Sequence, residues 1–247
     1  MKICSLVPGA TEVVAALGCQ HDLIGISHEC DFPPSLAQIP VMVRPRIESH
    51  HLSSAEIDQQ VGALLAAEAG LYELDETRLL AAGPDLIIAQ ALCDVCAITP
   101  SQLERVVHAL SPPPRMLTLS PGRLDDILLD IETIGTAIGR EEAGTQLSAV
   151  LRSRLDTVRA TVGAQATRPR VACIEWLAPL YTAGHWVPDM VAAAGGIDVL
   201  AQAGTASRKM DWDTLTASEP EVIVLMPCGF TVPRPKAELA SMPAHPP

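Results

Sequence analysis

The stretch Leu80-Ala-Ala-Gly-Pro-Asp-Leu-Ile-Ile-Ala89 joins the end of a helix to a strand. Glycine favours the left-handed turn that ends a helix, proline cannot continue one, and the short apolar run that follows is typical of a buried strand. The same order of helix, proline, acid and strand returns in Leu215-Thr-Ala-Ser-Glu-Pro-Glu-Val-Ile-Val-Leu225. A pattern that occurs twice predicts two similar α/β lobes.

Short apolar runs and helix-like stretches alternate on both sides of this motif, as parallel strands and crossover helices do. We expect the first strand over 3–7, followed by a helix that Thr11 caps and that ends at Leu17. Towards the other end of the chain, prolines become frequent and predict an extended tail, which would leave the second lobe incomplete. These prolines are Pro233, Pro235, Pro243, Pro246 and Pro247.

One long helix is predicted between the two lobes. Residues 141–163 carry apolar side chains on a single stripe, without a proline or a strand signal. Such a helix would be about 34 Å long at about 1.5 Å per residue. The expected division is therefore an amino-terminal lobe over 1–121, a helical segment over 122–167 and a carboxyl-terminal lobe over 168–247.

Composition excludes several classes of partner. The formal charge of −12 and the pI near 4.9 argue against nucleic acid and anionic membranes, which reward clustered Lys and Arg. No apolar run approaches the length of about 20 residues that crosses a bilayer. The residues after Met1 show neither a long apolar region nor a small-residue cleavage site, so a signal peptide is not expected among them. As written, the protein is expected in the cytoplasm, and in the periplasm if a leader was removed.

Groups that bind soft metal ions follow three of the predicted strands. If the strands are parallel, these side chains lie at carboxyl ends, where open α/β sheets bind ligands. His28 and Cys30 are alternate residues, so in an extended segment both side chains point to the same side and can chelate one metal ion. Together the set suits zinc or cobalt, and its members are His28, Cys30, Cys93, Cys96 and Cys228.

The thiols have other interpretations. Cys93-x-x-Cys96 is also the spacing of a dithiol redox centre, so a thiol oxidoreductase or a metal-dependent enzyme is the alternative function. Cys4, Cys19 and Cys173 are better interpreted as small buried hydrophobic residues.

A second group of candidates is aromatic. Trp176, Tyr181, His185 and Trp186 follow the first strand of the second lobe, and flat rings are suited to cover a macrocycle. His185 is suited to serve as an axial ligand to corrinoid cobalt. The alternative is that one tryptophan packs inside the lobe.

Four motifs resemble the solute-binding proteins that have a helical backbone, and most of all their cobalamin-binding branch. They are Ser5-Leu-Val-Pro-Gly-Ala-Thr-Glu12, Cys30-Asp-Phe-Pro-Pro34, the stretch ending at Ala89 and Ala194-Gly-Gly196. The resemblance implies two Rossmann-like lobes with parallel sheets, joined by a single long helix, and a ligand cleft between the lobes.

The resemblance also implies a function. Such proteins are not enzymes: they bind cobalamin, another metal chelate or a metal ion, as monomers, and hand it to an ABC permease. An intracellular carrier is the corresponding interpretation for a chain without a leader. The matched motifs add Pro8, Thr11 and Phe32 as candidate ligand contacts. Arg44 and Arg46 lie at an apparent strand start and are candidates for contacts with phosphate or propionamide groups.

Overall fold

Strands and helices alternate through the chain, as the apolar runs predict. The computed structural model describes residues 1–91, 98, 100–163 and 167–241. The strands are β1 (Ile3–Ser5), β2 (Leu23–Ser27), β3 (Val41–Pro45), β4 (Tyr72–Leu74), β5 (Leu86–Gln90), β6 (Arg115–Leu119), β7 (Arg170–Leu177), β8 (Leu180–Thr182), β9 (Ile197–Asp198), β10 (Lys209–Met210) and β11 (Val222–Leu225). The helices are α1 (Pro8–Ala16), α2 (Ser54–Ala66), α3 (Glu76–Ala82), α4 (Pro100–Ala109), α5 (Leu124–Ala137), α6 (Glu141–Gly163), α7 (Val187–Ala193), α8 (Trp212–Ala217) and α9 (Pro233–Ser241).

The first compact unit comprises residues 1–48, 61–120 and 126–151. Its sheet has the order β4-β3-β2-β1-β5-β6, and each neighbouring pair is parallel except β3 with β4. From β1 the chain moves outwards through β2 and β3, and later returns to place β5 on the other side of β1. The order therefore reverses between β1 and β5, the point at which open α/β sheets bind ligands beyond their carboxyl ends.

The core of this unit lies on both faces of the sheet. Ile3 and Ile88 belong to a cluster on one face that includes Val14 of α1 and Ile134 of α5. The residues that follow or precede them in the strands belong to a cluster on the other face, with side chains from α3 and α4. Because both faces are covered, side chains on both faces of β5 are apolar, which explains its uninterrupted run from Leu86 to Ala89.

The second unit comprises residues 49–60, 121–125 and 152–247. Its sheet has the order β10-β8-β7-β11, with β9 also paired to β7. β11 and β9 are parallel to β7, whereas β8 is antiparallel to both β7 and β10. The parallel pairing of β7 with β11 and β9 agrees with the expected α/β lobe, and β8 joins the sheet as an antiparallel strand because the chain turns straight back after Leu177 as a hairpin.

The end of the described chain is helical, where an extended tail was predicted. Pro233 and Pro235 occupy the first turn of α9. Proline is tolerated there because the first backbone N–H groups of a helix have no partner inside it. Arg234 donates from Nη2 to the carbonyl oxygens of Ser49 and Leu52, both at 2.7 Å. This helix is thus bound to the segment that precedes α2.

Three further sequence expectations can be compared with the structure. The long helix over 141–163 is confirmed as α6. The first helix begins earlier than expected, at Pro8, so Thr11 lies inside α1 and does not cap it. Arg44 was placed at the start of a strand but lies near the end of β3. Within the described residues, none of the helices is both long enough and apolar enough to cross a membrane.

The anchoring of α9 can be tested at Glu238. Its carboxylate accepts hydrogen bonds from the backbone N–H of Ser54, at 2.9 Å, and from the Ser54 hydroxyl, and Ser54 is fully buried. Glu238→Ala should lower the free energy of unfolding by about 1–3 kcal/mol, because it leaves buried donors unpaired at the start of α2. Urea denaturation measures this loss. Lys236→Ala, an exposed change on the same helix, is the control, and equal effects of the two changes would contradict the anchor.

Candidate ligand-binding surfaces

A small pocket lies at the carboxyl ends of β1 and β2 in the first unit. Its volume of about 40 Å³ accommodates a few water molecules but no macrocycle. Its lining residues are Leu6, Pro8, Ser27, His28, Glu29, Val43, Tyr72 and Ile98.

His28 contributes the imidazole of this pocket. Its Nε2 atom lies 3.3 Å from a carboxylate oxygen of Glu29, and its ring centroid lies 5.8 Å from that of Tyr72. Its Nδ1 atom is buried and has no hydrogen-bond partner among the described residues. A buried nitrogen without a partner is costly, so a water molecule or a small ligand is the expected neighbour of Nδ1.

Cys30 does not share this pocket. Its amide donates to the carbonyl of Ser27, which makes the segment a turn instead of the extended chain that was predicted. Cys30 consequently packs in the cluster that contains Val7 and Val14, whereas the neighbours of His28 include Val43 from the opposite cluster. The expectation that the two side chains chelate from one side is wrong for this reason.

Burial disfavours the thiolate form of Cys4, Cys30 and Cys173. It raises the pKa of Cys4 to about 12 and that of Cys173 to about 11. Burial also raises the pKa of Cys30, against the opposing effect of hydrogen bonds from Thr11 and Ser27. Within 1–91, 98, 100–163 and 167–241, no three His, Cys, Asp or Glu side chains form a group that could hold a metal ion. Cys93 and Cys96 lie outside the described residues.

The remaining candidates in the first unit differ in exposure. Pro8 opens α1 and lines the pocket. The Thr11 hydroxyl is fully buried, where it donates to the Val7 carbonyl at 3.0 Å and lies 3.1 Å from the sulfur of Cys30. Phe32 is 58% exposed, and Arg44 and Arg46 are also exposed. Ligand contacts by these residues stay predictions.

The difference between buried and exposed thiols is testable. At pH 8, iodoacetamide should modify the exposed Cys228 much faster than Cys4, Cys30 and Cys173. The reason is that a raised pKa keeps a thiol protonated until the pH approaches that value, and only the thiolate reacts. Peptide mass spectrometry gives the rates, and protein unfolded in urea is the control in which the differences should vanish. Modification of Cys30 as fast as Cys228 in the folded protein would contradict the burial.

In the second unit, a group of aromatic side chains lies at the carboxyl ends of β7 and β11. Trp176 faces Tyr181 across the hairpin, and its ring centroid lies 5.2 Å from that of Phe230 in an edge-to-face arrangement. All three side chains are half-buried. Cys228 follows β11 at the same end, where its amide donates to the carbonyl of Glu175 at 3.4 Å. We call Trp176, Tyr181 and Phe230 the aromatic group.

Residues 49–60 support this group. The indole Nε1 of Trp176 donates to the carbonyl of Ser54 at 3.1 Å. The guanidinium carbon of Arg234 lies 3.6 Å from the ring centroid of Phe230. Burial raises the pKa of Tyr181, and the negative charge of Asp58 adds to this effect. The tyrosine is therefore a neutral hydroxyl at ordinary pH.

Sequence reasoning missed Phe230 and Arg234. Phe230 could have been found, since aromatic residues are scarce and it lies a few residues after a predicted strand. Nothing in the pattern of residues 49–54 indicates that they pack with a part of the chain more than 120 positions away.

His185 and Trp186 lie elsewhere in the second unit. Thr182 pairs with Ile174, and the chain then continues towards the amino end of β7, away from the aromatic group. The two rings are 6.0 Å apart. The backbone of His185 is left-handed, with φ of 54°, and it is held by hydrogen bonds with Thr205 and Gly204. The aromatic residues over 176–186 are thus two groups, where one was predicted.

The turn before His185 depends on glycine at position 184. A Cβ atom there would lie 2.5 Å from the Ser207 nitrogen and 2.7 Å from the Thr205 oxygen, both of which are backbone atoms that cannot move aside cheaply. Gly184→Ala should therefore lower the free energy of unfolding by more than about 2 kcal/mol.

Gly62→Ala is the matched control for that change. Gly62 lies in α2 with nothing within 4 Å of the added carbon, so alanine should instead raise stability by about 0.5–1 kcal/mol. Thermal unfolding measures both effects, and stability of Gly184→Ala equal to that of the unchanged protein would contradict the tight turn.

The arrangement of strands, helices and carboxyl-end surfaces agrees with the comparisons to known proteins. A family model described as "Periplasmic binding protein" matches residues 3–244. The chain belongs to this family. A curated member, the vitamin B12-binding protein of Vibrio cholerae serotype O1, is 22% identical over 228 residues, which cover 90% of this chain and 69% of that protein.

Solved structures show the same fold. The periplasmic vitamin B12-binding protein BtuF of Vibrio cholerae superposes with a TM-score of 0.66 at 20% identity, covering 96% of this chain and 82% of that one. A periplasmic heme-binding protein of Pseudomonas aeruginosa gives 0.71 at 19% identity, covering 98% and 77%. At this level of identity the likeness extends to the fold, and the ligand has to be argued from the chain itself.

Proposed function

We propose that this periplasmic binding protein binds cobalamin or a related flat metal chelate such as heme, without catalysing a reaction. The observation that carries the proposal is the aromatic group at the carboxyl ends of β7 and β11. The chain has only two Phe, two Tyr and three Trp, and one of each kind gathers at this position.

The aromatic group suits a macrocycle for physical reasons. Each ring offers a large apolar surface with few freely rotating bonds, so contact with a flat ligand costs little side-chain entropy. Two of the rings are already held, Trp176 by the carbonyl of Ser54 and Phe230 by Arg234, which reduces that cost further. Relatives that are named for vitamin B12 and for heme, both flat metal chelates, support this class of ligand.

A chelated metal is better supported than a bare ion. Burial raises the pKa of Cys4, Cys30 and Cys173 and so disfavours their thiolate forms. The side chains of His28 and Cys30 are turned to opposite clusters. A metal ion that arrives inside a macrocycle needs only one or two donors from the protein. The chain therefore recognises the ligand mainly through its organic ring, and the metal ion adds a secondary contact.

Delivery to an ABC permease is the corresponding role for a member of this family. We propose that the protein is the substrate-binding component of such a transporter, or a carrier of the same ligand inside the cell. Fractionation of cells that produce the protein from its own gene distinguishes the two: recovery from the periplasm supports the first role, and recovery from the cytoplasm supports the second.

The ligand class can be tested by titration with aquacobalamin, haemin, zinc chloride and cobalt chloride. We expect saturable one-to-one binding of at least one chelate, with quenching of tryptophan fluorescence, and no comparable uptake of either free ion. Tyr181→Ala should weaken chelate binding about tenfold, or about 1.4 kcal/mol, because it removes a ring from the aromatic group.

Trp186→Ala is the matched control, since Trp186 lies beyond the other end of the hairpin. Its affinity should stay within about twofold of the original. Stoichiometric binding of a free ion without binding of any chelate would contradict the proposal, as would a loss in Trp186→Ala that exceeds the loss in Tyr181→Ala.

A further inference from the structure

Two exposed histidines lie in the segment that supports the aromatic group. His50 and His51 are consecutive residues of a single 3₁₀ turn, Ser49–His51. The carbonyl oxygens on either side of the pair, those of Ser49 and Leu52, both accept hydrogen bonds from the guanidinium of Arg234.

The turn is held close to the Phe230 ring. The same guanidinium that binds the two flanking carbonyls lies 3.6 Å from the centroid of this ring. Two residues further on, the carbonyl of Ser54 is held by the indole of Trp176. The histidine pair is therefore fixed at both ends to side chains that contact or form the aromatic group.

The geometry of the turn directs the imidazoles outwards. In a 3₁₀ helix, residues three apart lie on the same side. Ser49 and Leu52 are half-buried, whereas His50 and His51 are exposed. The two histidines are consequently exposed on a turn that Arg234, which also lies over the Phe230 ring, holds in place.

We propose that one imidazole of the His50–His51 pair coordinates the metal ion of the bound chelate. This inference rests on the proposed function. A neutral imidazole nitrogen donates its lone pair to Co(III) or Fe(III), the axial water leaves, and no electron is transferred. Arg234 acts as a positioning residue, since it fixes the turn that carries the pair.

The other histidines that the structure describes are less well placed. His185, the axial ligand expected from the sequence, lies beyond the far end of β8. His28 belongs to the first unit, and its Nδ1 atom is buried. The pair at 50–51 is thus the imidazole source beside the aromatic group in the described part of the second unit.

Absorption spectra with two probes test the coordination, and electron paramagnetic resonance adds a second readout for haemin, whose Fe(III) is paramagnetic. The probes are haemin and aquocobinamide, a corrinoid without a nucleotide base of its own, so any nitrogen ligand must come from the protein. With the unchanged protein we expect the spectra of a nitrogen-ligated metal. In His50→Ala,His51→Ala the spectra should revert to those of a water-ligated metal, with at least tenfold weaker binding.

Single variants and controls sharpen the test. One of His50→Ala and His51→Ala should reproduce the double variant, and the other should behave as the unchanged protein. His108→Ala, an exposed histidine of α4, should change nothing. Arg234→Lys should weaken coordination in the unchanged background but cause no further loss in the double variant, as expected for residues that act through one contact.

The outcomes separate the two proposals. Chelate binding with identical spectra in the unchanged protein and the double variant overturns the histidine assignment and leaves the proposed function standing. Loss of the nitrogen-ligated spectrum in His108→Ala also overturns the assignment. Failure of the unchanged, folded protein to bind any chelate overturns both.

Discussion

The guanidinium of Arg234 holds together the surface on which the functional account depends. It lies over the ring of Phe230 and donates to two backbone carbonyls, those of Ser49 and Leu52. Carbonyl dipoles satisfy its hydrogen bonds without neutralising its charge, so the cation still attracts the face of the ring. Lysine would not replace it, because a planar fork is needed to stack on a ring and bind two acceptors at once.

Contacts to backbone atoms explain how the rings of the aromatic group can be partly exposed to solvent and still be rigid. Trp176 donates from Nε1 to the carbonyl of Ser54, and its ring meets that of Phe230 in an edge-to-face arrangement. Glu238 then fixes the amide of Ser54 from the side of α9. Rings held in this way keep an exposed surface without collapsing into the core. A rigid apolar surface loses little entropy when a flat ligand covers it.

Much of the fold is predictable from local pattern. The apolar runs give the strands, the glycine and proline signals give helix ends, and the stripe over 141–163 gives α6, because each depends on neighbours in the chain. Cys30 was assigned to the wrong side because the chain turns after Ser27 and does not continue extended. Residues 28 and 30 would lie on the same side only in an extended segment, where alternate side chains share a face.

The candidate site was less predictable because it depends on contacts distant in sequence. Residues 49–60 pack with the carboxyl-terminal unit, yet their composition resembles any polar loop and helix start. The α9 helix was not predicted because frequent prolines usually indicate an extended segment. Two of these prolines lie in the first turn of α9, where a helix tolerates them. The sequence alone gives no reason to single out His50 and His51, because their turn is held by Arg234, nearly 200 residues later in the chain.

The central claim is that the rings at the carboxyl ends of β7 and β11 form the surface that meets the ligand. Fluorine NMR of protein containing 5-fluorotryptophan tests it directly, with the three resonances assigned by single replacement of Trp176, Trp186 and Trp212. On addition of aquacobalamin or haemin, the account predicts a large shift or broadening of the Trp176 resonance and little change at Trp186 and Trp212. A bound ligand that leaves the Trp176 resonance unchanged and perturbs Trp186 would contradict it.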